Sequence, residues 1–289
     1  MRTWAKLTAY AGSLVLIFGV AIGAGRLLDP DETPTVAHPS HSAEAGEHAG
    51  HTGAAVQAGG LQVTDDGYTL SPVTAELTPG RAQTVRFRII GPDGKPVTQF
   101  TGDLHFIVVR RDLADYHHLH PTMAADGTWS AQVTVGEAGQ YRAFADFQPR
   151  ARAEGYVLGV DLPAPGDYRP RTLPAAGYSA TVDGYTVTRA GDPSATGAGW
   201  LAISVSRDGT PVTLEPYLGS YGHLVALREG DLAYQHMHPQ EGTVAGPDLA
   251  FAASVPSAGT YRLYLEFRHG GKVHLAEFTA TTSAGHAHS

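Results

Sequence analysis

The sequence predicts a mainly β chain: an N-terminal transmembrane helix, a disordered His-bearing tether, and two tandem β-sandwich domains. Three observations carry this. An uncharged apolar run near the N-terminus gives way to a polar stretch with few large apolar groups. The remainder contains two stretches that repeat each other about 118 residues apart. Each copy is built of short apolar segments separated by Gly, Pro and Asp turns, and no long amphipathic helical pattern follows residue 28.

Residues 1–28 are the predicted anchor. Leu7 to Gly25 carries no charge, with Arg2 and Lys6 before it and Arg26 after it. At about 1.5 Å rise per residue such a run nears the thickness of a bilayer core. The basic residues on the short N-terminal side place that end in the cytoplasm. This predicts a single-pass cell-membrane protein with its C-terminal domains extracytoplasmic. The alternative is secretion after signal cleavage near Ala21, Gly23 and Ala24.

Residues 29–59 read as a disordered tether carrying His38, His41, His48 and His51, and residues 283–289 as a tail carrying His286 and His288. Between them lie domain 1 (60–165), a linker (166–177) and domain 2 (178–282). The repeat is clearest where HFIVVRRDLADYHHLHP (105–121) matches HLVALREGDLAYQHMHP (223–239) without a gap, and where EAGQYRAFADF (137–147) matches SAGTYRLYLEF (257–267). A period this long is a duplicated domain rather than a solenoid unit. TVRFRII (84–90) alternates apolar and polar residues as a half-buried strand does, with WLAISVS (200–206) at the matching place. Asp93-Gly94 and Asp208-Gly209 are hairpin-turn signals. Six to eight short strands per copy is the number an immunoglobulin-like sandwich needs.

Composition narrows function. With 28 acidic against 20 basic residues the formal charge is -8, which argues against nucleic acid as a partner. There are no cysteines, so thiol catalysis, Cys-ligated zinc and copper–thiolate sites are excluded. Fifteen histidines are the unusual feature. Within the 17-residue match, His105, His118 and His120 recur at the same offsets as His223, His236 and His238. Side chains alternate along a strand, so the members of each His-x-His pair share a face. A hairpin would bring His105 or His223 beside its pair and complete a three-nitrogen site. Pro121 and Pro239 end the paired strands. Tyr116 and Tyr234 fall on the same face. A water is the first choice as fourth ligand, while Asp146 and Glu266 are either ligands or orienters of an imidazole. The competing reading makes all these histidines structural.

All-imidazole sites suit Cu(II), Zn(II) or Ni(II), and the affinity order favours Cu(II), with zinc second. Met123 and Met237 lie beside the His motif, although Met237 points to the opposite strand face. Loss of metal is expected as pH falls through about 6.5, the unperturbed His value. No hydrolase, phosphate-loop or dinucleotide motif is present, so an enzyme is not expected.

The His motif and the double β-domain resemble actinobacterial membrane-anchored or secreted proteins, and are similar in outline to the YtkA-like and CopC-like extracytoplasmic β-sandwich domains associated with copper handling. The resemblance spans roughly residues 60–282. It implies an immunoglobulin-like fold and a copper-related role. One departure concerns the His that CopC-like proteins present near the mature N-terminus, a residue not placed in this sequence. The expectation is a metal-binding protein for buffering, resistance or delivery, with a copper-handling protein as a partner. The alternative is a non-metal envelope interaction module, and less favoured is a metal-dependent enzyme.

Overall fold

A computed structural model describes residues 58–196, 198–237, 239–240 and 243–282. The predicted anchor, all of the tether up to residue 57, the tail and His238 lie outside the described residues. No helix among the described residues is long and apolar enough to cross a membrane.

Domain 1 holds strands β1 (Thr64–Asp65), β2 (Tyr68–Pro72), β3 (Gln83–Ile90), β4 (Phe100–Arg110), β5 (His117–Leu119), β6 (Thr122–Met123), β7 (Trp129–Val133), β8 (Gly139–Pro149) and β9 (Tyr156–Ala164). Domain 2 repeats the plan with β10 (Ser179–Val182), β11 (Tyr185–Ala190), β12 (Trp200–Arg207), β13 (Thr210–Pro211), β14 (Gly222–Arg228), β15 (Tyr234–Met237), β16 (Asp248–Ala252), β17 (Thr260–His269) and β18 (Lys272–Thr281). Each domain is an immunoglobulin-like sandwich of two antiparallel sheets. Domain 1 has the orders β1-β2-β3-β7-β6 and β5-β4-β8-β9. In domain 2 they are β10-β11-β12-β13, with β16 also on β12, and β15-β14-β17-β18. The Asp208-Gly209 turn closes β12 onto β13 with φ positive at both residues (51° and 76°), a conformation that suits the strand twist.

Strand patterns explain how the sheets are layered. In β3, Val85, Phe87 and Ile89 are buried and Arg86 and Arg88 are not, so this sheet has one wet face. In β4, five consecutive residues from Phe106 to Arg110 are buried, and β14 is buried from Gly222 to Leu227. A strand without alternation is covered on both sides. Phe106 and Val108 enter the domain 1 core, where Phe106 stacks on Phe87 at 4.2 Å. Leu224 and Ala226 enter the domain 2 core.

The opposite faces of β4 and β14 meet in a third core between the domains. It contains Ile107, Val109, Leu113, Tyr116 and Phe144 from domain 1, with Val225, Leu227, Leu232, Tyr234 and Tyr264 from domain 2. The packing is reciprocal: Tyr116 stacks on Tyr264 (4.0 Å between centroids) and Tyr234 on Phe144 (5.3 Å). Tyr264 also donates to the Leu113 carbonyl at 2.7 Å. In the linker, Leu173 packs against this core. Gly59, the last residue of the predicted tether, bridges to Tyr234. The described residues thus form four sheets in layers, with the two repeats face to face.

Candidate metal centre

The hairpin β4–β5 brings the first triad together. Ile107 pairs with His118, and Ile107 faces domain 2. By strand alternation His105, two residues before Ile107, and His120, two after His118, share that face. Their ring centroids are 5.1 Å (His105–His118), 5.1 Å (His105–His120) and 4.7 Å (His118–His120) apart. One nitrogen from each lies within 4.8 Å of the others. His105 Nδ1 and His118 Nε2 are 2.9 Å apart.

Domain 2 repeats the device, since Val225 pairs with His236 and His223 lies two residues before Val225. Rings from the two repeats lie beside one another. The ring of His105 is 4.8 Å from His236 and 5.8 Å from His223, and His223 and His236 are 5.9 Å apart. Five predicted ligands therefore form one cluster, drawn from both repeats. The sixth, His238, falls outside the described residues.

Two carboxylates anchor the cluster, and each acts across the domain boundary. His118 Nδ1 is 2.7 Å from Glu266 Oε2, and His236 Nδ1 is 3.1 Å from Asp146 Oδ2. Tyr234 also donates to Asp146, at 3.2 Å. Strand register explains the exchange. Asp146 pairs with His105 and Glu266 with His223, so each carboxylate stands beside the first His of its own repeat and reaches the paired His of the other. An ionised carboxylate only accepts hydrogen bonds, so His118 and His236 carry their protons on Nδ1. In a neutral His118, Nε2 then holds a lone pair, and His105 Nδ1–H donates to it.

His223 Nε2 donates to the Tyr217 carbonyl at 3.0 Å. Tyr217, whose ring lies 6.2 Å from His120, was not foreseen, because its segment carries no repeated signature. Both ring nitrogens of His120 are buried and lack a hydrogen-bond partner among the described residues. Such atoms are costly unless something binds them.

Burial holds the His105 imidazole down at about 2, helped by repulsion from His236 and His118. Burial likewise lowers His120 to about 4, with His118 adding to it. These two rings therefore remain neutral, the form that binds metal, well below the unperturbed value expected from sequence.

Other sequence candidates go elsewhere. Tyr116 fills the third core, and Tyr234 does so while its ring also lies 6.3 Å from that of His236. Met237 is 2% exposed in the domain 2 core and Met123 packs on the domain 1 core, so neither thioether joins the cluster. His117 bonds Asp115 at 3.0 Å. His269 bonds the Tyr185 hydroxyl (2.8 Å) and His274 bonds Asp183 (2.7 Å) at another edge of domain 2.

No curated protein matches the chain. Among solved structures it is similar to the Escherichia coli adhesin FdeC, with 16% identity over 76% of this chain and 65% of that one and a TM-score of 0.25. It is also similar to Yersinia pseudotuberculosis InvD, with 11% identity over 77% and 60% and a TM-score of 0.26. A titin structure matches with 11% identity over 75% and 98% and a TM-score of 0.21. The chain thus spans less than two thirds of the length of the first two. A family model described as a domain of unknown function, DUF8832, matches twice, at residues 62–161 and 180–284, so the duplicated unit is that domain and the chain belongs to the DUF8832 family.

Proposed function

We propose that this protein binds a transition-metal ion through the imidazoles of His105, His118 and His120, with Cu(II) the preferred ion and Zn(II) second. It would act outside the cytoplasmic membrane to buffer the ion or deliver it to a copper-handling partner protein. The observation that carries the reading is the convergence of three imidazole nitrogens within 4.8 Å, with His120 satisfied by nothing else among the described residues.

Geometry and chemistry support it. Metal–nitrogen bonds of about 2.0–2.1 Å put adjacent ligand nitrogens about 3 Å apart, so the 2.9 Å separation of His105 Nδ1 and His118 Nε2 already matches one edge of such a site. An ion there would replace the hydrogen bond, with the His105 proton moving to Nε2. The carboxylate on His118 is the partner that metal-bound imidazoles commonly have. An all-nitrogen donor set without thiolate or thioether suits Cu(II) and Zn(II). The apolar run Leu7 to Gly25 supports the membrane location.

The test is titration of the full chain with Cu(II) and Zn(II), with and without His118→Ala/His120→Ala, against a chelator that masks weak sites in the tether. Loss of the tightest site in the variant is expected. Equal uptake by both proteins would make the cluster structural and favour an envelope interaction module of two immunoglobulin-like domains.

A further inference from the structure

We propose that the metal centre is a single one built by both repeats, with His236 joining His105, His118 and His120 as a fourth imidazole and with Glu266 and Asp146 as positioning residues across the boundary. This rests on the metal-binding reading above and extends it to the ligands and stoichiometry of the site.

Ring spacing is the first argument. Imidazoles bound to one ion at about 2.0–2.1 Å, arranged tetrahedrally, have centroids about 5 Å apart. The His105 ring meets this with His118 (5.1 Å), His120 (5.1 Å) and His236 (4.8 Å). His118 and His236 are farther apart, at 6.2 Å. The nitrogens already within 4.8 Å of one another are those of His105, His118 and His120, so His236 has to close on this triad to reach the same ion. His223 stands outside this set. Its ring is 5.8 Å from His105 and 5.9 Å from His118, and its Nε2 is committed to the Tyr217 carbonyl.

The carboxylates of the cluster also join the two repeats. The two rings fixed by carboxylates are His118 and His236, one from each repeat, and each is fixed by the other repeat. With Nδ1 so occupied, both rings present Nε2 as the ligand nitrogen, the arrangement by which carboxylates orient metal-bound histidines. Domain 2 therefore orients a ligand of domain 1, and domain 1 a ligand of domain 2.

The test uses the full chain and Cu(II), measuring bound copper per chain by mass spectrometry and the copper environment by electron paramagnetic resonance. One tightly held ion per chain is expected. His236→Ala should weaken binding at least tenfold and alter the spectrum. Glu266→Gln should weaken binding by roughly 10- to 100-fold and shift the spectrum although it removes no ligand, with partial recovery in Glu266→Asp. His223→Ala should keep the parent spectrum. Melting of each metal-free variant separates misfolding from loss of the site. Should His236→Ala not fold, the Glu266→Gln spectrum decides. Absence of copper in the parent protein would overturn the metal reading itself. One ion per chain with parent affinity and spectrum in both His236→Ala and Glu266→Gln would overturn only the shared centre and leave the triad. Two tight ions per chain would also overturn the shared centre.

Discussion

Metal-free protein should lose stability between pH 7 and pH 5 because of two partly buried imidazoles. His105 is lowered from 6.5 to about 2 and His120 from 6.5 to about 4, both chiefly by burial. The unfolded chain therefore takes up protons below about pH 6.5 that the folded protein does not, and unfolding gains as pH falls. Each such group contributes up to about 1.4 kcal/mol per pH unit until its folded value is reached. From pH 7 to pH 5 this gives about 2 kcal/mol for His105. His120 is only half-buried, so solvent screening discounts its share to about 1 kcal/mol. The sum of about 3 kcal/mol is a large part of the 5–15 kcal/mol typical of a folded domain. Depressed carboxylates such as Asp115, lowered to about 2, lose their contribution only below about pH 3.9 and do not confuse this window. Urea unfolding of chelator-treated protein at pH 7, 6 and 5 measures the slope, with His105→Asn/His120→Asn as the comparison. A parent protein with flat stability across this range, or a double variant that falls as steeply as the parent, would show that these two imidazoles do not set the pH dependence.

Three further outcomes are expected. Tyr264→Ala removes the ring stacked on Tyr116 and the bond to the Leu113 carbonyl, and should cost about 3–5 kcal/mol in denaturant unfolding. Cu(II) at a hundred times its dissociation constant should stabilise the parent by about 2.7 kcal/mol, seen as a raised melting temperature that disappears in His118→Ala/His120→Ala. Met237→Leu, in the domain 2 core and turned from the cluster, should leave copper affinity unchanged by titration and cost less than about 1.5 kcal/mol in stability.

Much of this was legible in the sequence because it depends on local periodicity. The alternation of TVRFRII gave β3, the Asp208-Gly209 pair its hairpin, and the His-x-His spacing put His118 and His120 on one face. The facing of the two repeats was not legible. Unbroken apolar runs in HFIVV and HLVAL signal strands covered on both sides, yet no local pattern says what covers them. The third core and the convergence of His105 with His236 follow from that unseen contact. Asp146 and Glu266 were found as a matched pair beside the histidines. Their exchange across the boundary depends on strand register and domain docking together, which spacing does not encode.

The third core also governs how an ion could come and go. Related domains often swing on a linker, but an extensive apolar contact removes that freedom. Prising these halves apart would wet ten buried side chains at up to about 1.5–3 kcal/mol each, more than the whole stability of a typical domain. An ion held as proposed would therefore not be released by a hinge between the domains. It would have to leave on the side of half-buried His120.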